Sequence, residues 1–136
     1  MQFVDLVQKY QLAEAILEGI SFANHLRDVQ FEFELGEMNV RDGVEFPRDG
    51  RLTIVCKDYI RFRVTRDPKL MLFCHPLDLQ EEAQVGRKTV VSVTIECPSQ
   101  SLLLQELGEA AIHFQHLTLE TMDGLFEVVF KDLDLR

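Results

Sequence analysis

The segment of residues 51–65 has the most regular pattern in the chain, and it constrains the fold more than any other feature. Its apolar side chains occupy alternate positions, which is the period of a β-strand, because successive strand side chains point to opposite faces. The segment therefore predicts extended structure with one apolar face that packs in a core. That face consists of Leu52, Ile54, Cys56, Ile60, Phe62 and Val64.

Two strands joined by a short loop are the preferred interpretation of this segment. A three-residue loop over 57–59 would place Cys56 opposite Ile60 and keep the whole apolar face together. A single long strand preserves the same phase. It would, however, bring Asp58 onto the apolar face and exceed the usual strand length of about five or six residues. The segment therefore predicts a hairpin.

A further strand is predicted over residues 26–35, where apolar and polar side chains alternate. Its outer face carries Glu32 and Glu34, and the outer face of the hairpin carries Arg61 and Arg63. If the two strands are neighbours, these carboxylates form ion pairs with the two arginines, each worth about 0.2–1 kcal/mol. The inner face of the strand consists of Val29, Phe31, Phe33 and Leu35.

Residues 3–20 are predicted to form an amphipathic helix. Their apolar side chains recur at three- and four-residue steps, which is the spacing of neighbours on one helix face. Asp5 in the first turn complements the helix dipole, and Gly19 near the end is a typical C-terminal signal. We expect this helix to cover one face of the sheet.

The middle of the chain predicts two further strands and two segments with alternative structures. Residues 70–74 are continuously apolar and residues 89–97 alternate, so both are predicted strands. Residues 78–85 are a short helix or a loop, and residues 101–107 are a short helix or a strand. The inward side chains predicted for the second strand are Val91, Val93, Ile95 and Cys97.

The Asp-Gly dipeptide at 123–124 is the most specific turn signal in the chain. A two-residue turn there predicts a hairpin in which Leu119 pairs with Val128. The apolar pattern upstream shifts by one residue near Gln115 and His116. Such a shift predicts a β-bulge, because a bulge adds one residue to one strand of a pair.

Strands that follow one another without alternating helices indicate an α+β domain. The predicted architecture is an N-terminal amphipathic helix packed on a mainly antiparallel, curved sheet of about six to seven strands. The chain has 136 residues, the size of one ordinary domain, so a single domain over 1–136 is predicted.

Charge limits the partners that this chain can bind. The formal net charge is −9, and such a surface repels phosphate backbones and anionic lipids. We therefore expect no nucleic acid and no membrane partner, and another protein with a basic patch fits best; solubility alone also explains the charge. The N-terminus lacks a signal-peptide pattern and no apolar run reaches about 20 residues, so a cytoplasmic location is predicted.

No catalytic, cofactor or metal motif is present in the sequence. Zinc sites have paired ligands at short, regular spacing, whereas His113 and His116 would point to opposite faces of a strand unless the predicted bulge intervenes. The chain has no glycine-rich nucleotide loop. We therefore predict no enzyme activity, no cofactor and no metal. Buried, reduced thiols are predicted for the cysteines, which lie at the ends of apolar strand patterns: Cys56, Cys74 and Cys97.

A small acidic chain without a chemical motif predicts a non-enzymatic protein-binding domain, such as an adaptor, an immunity-like inhibitor or a chaperone-like protein. One alternative is a self-associating structural subunit of a larger assembly, which would form a homo-oligomer. The other is a small-ligand-binding or enzymatic domain with its site inside the curled sheet. The candidate partner-binding residues are Met38, Val44, Phe46, Arg61, Arg63 and His116.

Overall fold

A computed structural model describes residues 3–65, 88–96, 113–122 and 124–136. Within these ranges the chain contains one α-helix, α1 (Phe3–Lys9), a short 3-10 helix (Glu37–Asn39) and eight strands. The strands are β1 (Ile16–Ala23), β2 (Asp28–Glu34), β3 (Arg51–Lys57), β4 (Arg61–Thr65), β5 (Lys88–Glu96), β6 (Gln115–Thr121), β7 (Leu125–Phe130) and β8 (Asp132–Leu135).

The eight strands form one antiparallel sheet in the order β4-β7-β6-β5-β1-β2-β3-β8. The two ends of this order are connected, because β4 follows β3 and β8 follows β7 after short bends. At the bends, the Ile60 amide donates to the Val129 carbonyl at 2.8 Å, and the Lys131 amide donates to the Lys57 carbonyl at 3.0 Å. The bent segment β3–β4 thus pairs with the bent segment β7–β8, and the sheet curls round until its ends meet.

The core occupies the inside of the curled sheet. It combines the inner side chains of β1, β2, β3, β5, β6, β7 and β8 in one cluster. A smaller cluster on the outer side contains Phe114 and Val129. The largest fully buried side chains are Phe31, Phe33, Phe130, Leu17, Ile54, Leu117, Leu119 and Leu133.

The predicted α+β class is wrong, because the described structure is nearly all sheet. Residues 3–20 do not form one helix: α1 ends at Lys9, and Ile16 begins β1. The seven residues of α1 are too few to cover the face of a sheet of this size. The N-terminal amphipathic helix is therefore replaced by a strand that pairs with β2.

A β-bulge in β1 explains the misleading helical spacing. Leu17 and Ile20 lie three residues apart, yet they pair with Phe33 and Phe31, which lie two apart on β2. The register shifts between Leu17 and Gly19, since a bulge places an extra residue in one strand. In the sequence alone, this extra residue reproduces the three-residue step of a helix face.

The predicted hairpin within residues 51–65 is also wrong. β3 pairs with β2 and β8, whereas β4 pairs with β7, so the two strands are successive parts of one bent segment. Asp58 lies at the bend with a φ of 51°, in the left-handed region that Asp tolerates better than most residues. Its amide donates to the buried Asp28 carboxylate at 3.1 Å. The bend keeps Asp58 off the apolar face, where a straight long strand would have placed it.

The predicted ion pairs between β2 and β4 do not form. β2 lies between β1 and β3, so Glu32 and Glu34 face residues of those strands rather than Arg61 and Arg63. Arg63 lies opposite Glu127 of β7, with 3.9 Å between Arg63 Nε and Glu127 Oε2. The basic stripe on β4, formed by Arg61 and Arg63, thus lies near a carboxylate of the same chain, but this carboxylate belongs to β7 and not to β2 as predicted.

Two strand predictions are confirmed in outline. β2 falls within the predicted 26–35, and its inner side chains are buried. β6 and β7 form the predicted hairpin, but Leu119 pairs with Phe126 rather than with Val128. This register differs from the prediction by two residues. A shift of two leaves every side chain on its predicted face, because the strand period is two.

β5 carries a bulge that the alternating pattern does not reveal. Val90 is buried and Val91 is exposed, and the register with β6 shifts between Val90 and Ser92. The prediction that Val91 points inward is therefore wrong, whereas Ile95 is buried as predicted. The bulge predicted near Gln115 does not interrupt β6, which pairs regularly with β7 from its first residue.

Some predictions concern residues outside the described ranges. These are the elements predicted over 70–74, 78–85 and 101–107, and the burial predicted for Cys74 and Cys97. Within the ranges that the structure does describe, no helix has the length and apolar character needed to cross a bilayer.

Candidate functional site

The six candidate residues do not form one site. Three lie in the loop between β2 and β3, two on β4 and one on β6. The two groups lie on elements that are not neighbours in the strand order, apart from the chain connection through β3. In chain order the six are Met38, Val44, Phe46, Arg61, Arg63 and His116.

Two residues of the strand group, Arg63 and His116, lie near the same carboxylate on β7. His116 Nε2 lies 3.3 Å from Glu127 Oε1, and Arg63 Nε lies 3.9 Å from Glu127 Oε2. His116 is buried, whereas Arg63 is exposed, and Arg61 faces Val129 in the same ladder. Arg63 and His116 therefore belong to a polar network within the sheet face.

A polar cleft of about 390 Å³ lies beside the turn between β1 and β2, and three of its charged residues, Arg27, Asp28 and Asp58, bond within the cleft. Arg27 Nη2 lies 3.3 Å from Asp58 Oδ1, and Asn24 Nδ2 donates to Asp28 Oδ2 at 2.5 Å. The remaining oxygen of Asp28 accepts from the Asp58 amide at 3.1 Å. These contacts join the β1–β2 turn to the β3–β4 bend, which is a structural role.

A groove of about 370 Å³ lies where the end of α1, the β2–β3 loop and the ends of β3 and β8 meet. We refer to it as the basic groove, because cations dominate its charged lining. Phe46 is the one member of the six candidates that lines it. Its four cationic side chains and two aromatic rings are Lys9, Arg48, Arg51, Arg136, Tyr10 and Phe46.

Asn39 holds one wall of the basic groove in place. Its buried side chain donates from Nδ2 to the Gln11 carbonyl at 2.8 Å and to the Ala13 carbonyl at 2.9 Å. Its Oδ1 accepts from the Gly36 amide at 2.8 Å. Because these bonds use most of the capacity of a side-chain amide, they fix the segment around Tyr10 against the β2–β3 loop.

Arg41 fixes the end of α1, where Lys9 lies. The Arg41 amide donates to the Lys9 carbonyl at 2.9 Å, and its Nε donates to the Val7 carbonyl at 3.2 Å. The last carbonyls of a helix have no partner within the helix, so these bonds stabilise this end. Tyr10 then pairs with Val40 in an isolated bridge. The backbone that carries Lys9 and Tyr10 is thereby anchored to the loop on both sides.

Phe46 forms an apolar wall of the basic groove. Its ring lies close to Gly50, where an added Cβ would be 3.6 Å from two ring atoms. Gly50 has a φ of 65°, a conformation that other residues adopt at a cost. The Gly50 amide donates to the Pro47 carbonyl at 2.9 Å, and its carbonyl accepts from the Leu35 amide at 2.7 Å. This turn presents Phe46 with 41% of its surface exposed.

Two of the four cations have carboxylate partners. Arg51 Nε lies 3.6 Å from Glu18 Oε2, and Arg136 Nε donates to Asp134 Oδ2 at 3.0 Å. The Arg136 hydrogen bond holds the pKa of Asp134 below its usual value, and the charge of Lys57, at 3.9 Å, acts in the same direction. Both pairs are largely exposed, so each contributes less than about 1 kcal/mol.

Lys9 and Arg48 differ from the other two cations of the basic groove, and Glu45 is the one carboxylate among the described residues of the groove lining. Neither Lys9 nor Arg48 has a carboxylate partner in the part of the chain that the structure describes. Both residues are exposed. They are therefore the groups of the basic groove best placed to meet an anion from outside.

The sequence contains little that would reveal these cations. Arg48 opens the second of two Arg-Asp-Gly repeats, a composition typical of turns, and both repeat glycines have positive φ values. Lys9, Arg51 and Arg136 come from three other segments with no local motif. The nearest signal is the short distance in sequence between Phe46, Arg48 and Arg51.

Nucleophilic and metal chemistry have no support in the described structure. Cys56 is free and buried, as predicted, and burial raises the pKa of its thiol far above the ordinary value, with a further contribution from the charge of Asp28. A buried neutral thiol is a poor nucleophile. Within the described ranges, no group of three or more His, Cys, Asp and Glu side chains is arranged to hold a metal ion.

Comparisons with known proteins supply no family for this chain. No protein-family description matches it, and no curated protein is significantly similar. The crystal structure of an uncharacterized protein from Neisseria gonorrhoeae is similar in part, with a TM-score of 0.47 and 9% sequence identity. The alignment covers 94% of this chain and 95% of that chain. A likeness at this level carries no functional argument.

Proposed function

We propose that this chain is a non-enzymatic protein-binding domain and that the basic groove holds an acidic segment of its partner. One observation carries the proposal. Four cationic side chains from separate segments converge on one groove in a chain whose net charge is −9. Like charges repel, and the nearby carboxylates of Glu18, Glu45 and Asp134 offset only part of this positive charge.

The surrounding charge makes the basic groove selective. Acidic side chains elsewhere on the surface repel polyanions, while the groove itself attracts a single short acidic segment. A long phosphate backbone would approach many carboxylates at once, so nucleic acid and anionic membranes remain poor partners. The groove therefore favours a protein whose acidic residues are confined to one segment.

The residue types in the basic groove are those that dominate protein interfaces. Arginine, tyrosine and other aromatic side chains are enriched at interface positions that contribute most to affinity. The groove combines Arg48 and Arg51 with the rings of Tyr10 and Phe46. An acidic segment with apolar side chains would meet both kinds of group.

A partner with a basic patch stays a prediction from the net charge, and such a patch would bind outside the groove. Exposed carboxylates such as Glu32, Glu37 and Asp42 are available to such a patch outside the groove. A cytoplasmic location is also proposed, and the free thiol of Cys56 supports it because reducing compartments maintain thiols. Cell fractionation would test the location separately from the binding.

A charge-reversal experiment tests the proposal. The double variant Lys9→Glu/Arg48→Glu is compared with Arg61→Glu/Arg63→Glu, which changes the net charge equally on β4. Fluorescence anisotropy measures binding of a labelled six-residue peptide of alternating glutamate and phenylalanine. We expect the groove variant to bind about tenfold more weakly or worse, and the β4 variant to bind as wild type does.

Circular dichroism melts establish that both variants fold. If the wild-type protein does not bind the peptide, the proposed function is wrong. If the β4 variant loses binding while the groove variant keeps it, the binding surface is the β4 stripe instead. An equal loss in both variants would show that only overall charge matters, which also contradicts a groove-specific site.

A further inference from the structure

We infer that the basic groove recognises a carboxylate carried next to an aromatic ring. This inference rests on the proposed function and names the chemistry of the bound segment. Its basis is that an aromatic wall, Phe46, lines the same groove as Lys9 and Arg48, two cations without an ion pair among the described residues. An anion without a ring would use only half of the site.

The aromatic wall is preorganised. The Phe46 ring lies beside Gly50, where the positive φ disfavours residues with a larger side chain. Pro47 follows directly and restricts the backbone further. A ring held in this way loses little freedom on binding, so stacking or edge contact with a second ring is retained as affinity.

The charge balance favours a carboxylate over a phosphate. Glu45 lines the groove, Glu18 faces Arg51 and Asp134 faces Arg136. Four cations against these three carboxylates leave one net positive charge. A singly charged carboxylate matches this balance, whereas a phosphate with a charge of about −1.5 to −2 exceeds it. The guanidinium of Arg48 can donate two parallel hydrogen bonds to a carboxylate.

The size of the basic groove fits a short epitope. A volume of about 370 Å³ lies near the lower end of ligand pockets, which span about 300–1,000 Å³. It accommodates one ring and one carboxylate with the backbone between them. An internal aromatic residue beside Asp or Glu offers this chemistry, and such a residue belongs to the acidic segment of the proposed function.

Four labelled six-residue peptides separate these requirements. The first carries phenylalanine flanked by glutamates and has an amidated C-terminus. The second replaces phenylalanine with alanine, the third has glutamines with a free C-terminal phenylalanine, and the fourth is the amidated form of the third. We expect the second peptide to bind the wild-type protein about tenfold more weakly than the first, and the fourth not to bind. The third peptide should bind more weakly than the first; tighter binding of the third would place the carboxylate at a C-terminus and overturn the inference.

Phe46→Ala tests the wall itself, with Met38→Ala as its control. Met38 is also an exposed apolar residue of the same loop, at 70% exposure, but it does not line the groove. Phe46→Ala should weaken the first peptide about tenfold and leave the second unchanged. Met38→Ala should change neither.

The outcomes distinguish this inference from the proposed function. If the alanine peptide binds wild type as tightly as the phenylalanine peptide, the groove binds acidic segments but has no aromatic requirement, and the inference fails alone. If Phe46→Ala weakens both peptides equally, the ring has only a structural role, and the inference also fails. If none of the peptides binds, both the inference and the proposed function are wrong.

Discussion

β3 and β4 belong to one alternating segment of the chain but have different environments. β3 lies between β2 and β8, and its inner side chains are fully buried. Among the described strands, β4 pairs with β7 alone. Val64 in β4 is 52% exposed, and Ile60, just before β4, is 47% exposed. The same pattern of side chains thus forms the centre of the core on one side of the bend and a partly open edge on the other.

The difference shows that alternation defines the face and neighbouring strands define the burial. Val64 pairs with Phe126, which is buried, so both side chains point to the same face. Phe126 is covered because β7 has β6 on its other side, whereas Val64 belongs to the last strand in the order. An apolar side chain in a regular strand therefore stabilises a fold only in proportion to the apolar surface that its neighbours remove from water.

The largest effect is expected from Ile54→Ala in β3. The Ile54 side chain is fully buried, so its truncation removes apolar contacts and leaves a cavity. The free energy of unfolding should fall by about 2–5 kcal/mol, measured by urea denaturation. The matched change on the other side of the bend, Val64→Ala, should cost less than about 1 kcal/mol. Equal costs would show that β4 is as well packed as β3.

A smaller effect is expected from Asp28→Ala, which removes the group that joins the bend to the β1–β2 turn. The change leaves the Asp58 amide and the Asn24 side chain without their acceptor. The free energy of unfolding should fall by about 1–3 kcal/mol. Asp58→Asn serves as the control, because it preserves the backbone amide and tolerates the positive φ. A loss in the control as large as in Asp28→Ala would assign the effect to the exposed Arg27–Asp58 pair instead.

The smallest effect is expected for alkylation of native Cys56, because its buried thiol should not react. Burial raises the pKa of this thiol, so the thiol stays neutral in the folded protein. The unfolded chain loses the same proton above the ordinary thiol pKa of about 8.5, so the folded state becomes less stable as the pH rises above that value. Alkylation with iodoacetamide at pH 8, read by peptide mass spectrometry, should leave Cys56 unmodified until denaturant is added. A cysteine introduced by Val64→Cys should react without denaturant. Rapid native labelling of Cys56 would show that β3 opens more readily than its burial indicates.

The sequence predicts strand faces well where the alternation is uninterrupted. The inner side chains of β2 and the faces of the β6–β7 hairpin follow directly from the pattern. The prediction fails at bulges, because one added residue shifts the alternation of faces. In β1 the shift produces the spacing of a helix face, and in β5 it places Val90 rather than Val91 on the buried face. It also fails for strand neighbours, since β4 pairs with a strand that lies far along the chain.

The sequence could not predict the basic groove, because the groove also depends on which segments become neighbours. Its cations are contributed by the end of α1, a loop, β3 and the residue after β8, and only the closed sheet brings these segments together. Phe46 was accessible to prediction because loops with exposed apolar side chains commonly bind partners. Arg63 and His116 were reasonable candidates, but their shared carboxylate belongs to a strand whose position the sequence does not reveal.

The joined ends of the sheet also have a consequence for folding. Pairing of β3 with β8 brings Ile54 opposite Leu135, and pairing of β4 with β7 connects similarly distant parts of the chain. Contacts of such long sequence separation require loop closure before they stabilise the structure, and they slow folding. Closure of the sheet is therefore expected to be a late, slow event. Until it occurs, β3 has an unpaired edge, so aggregation during refolding should increase with protein concentration.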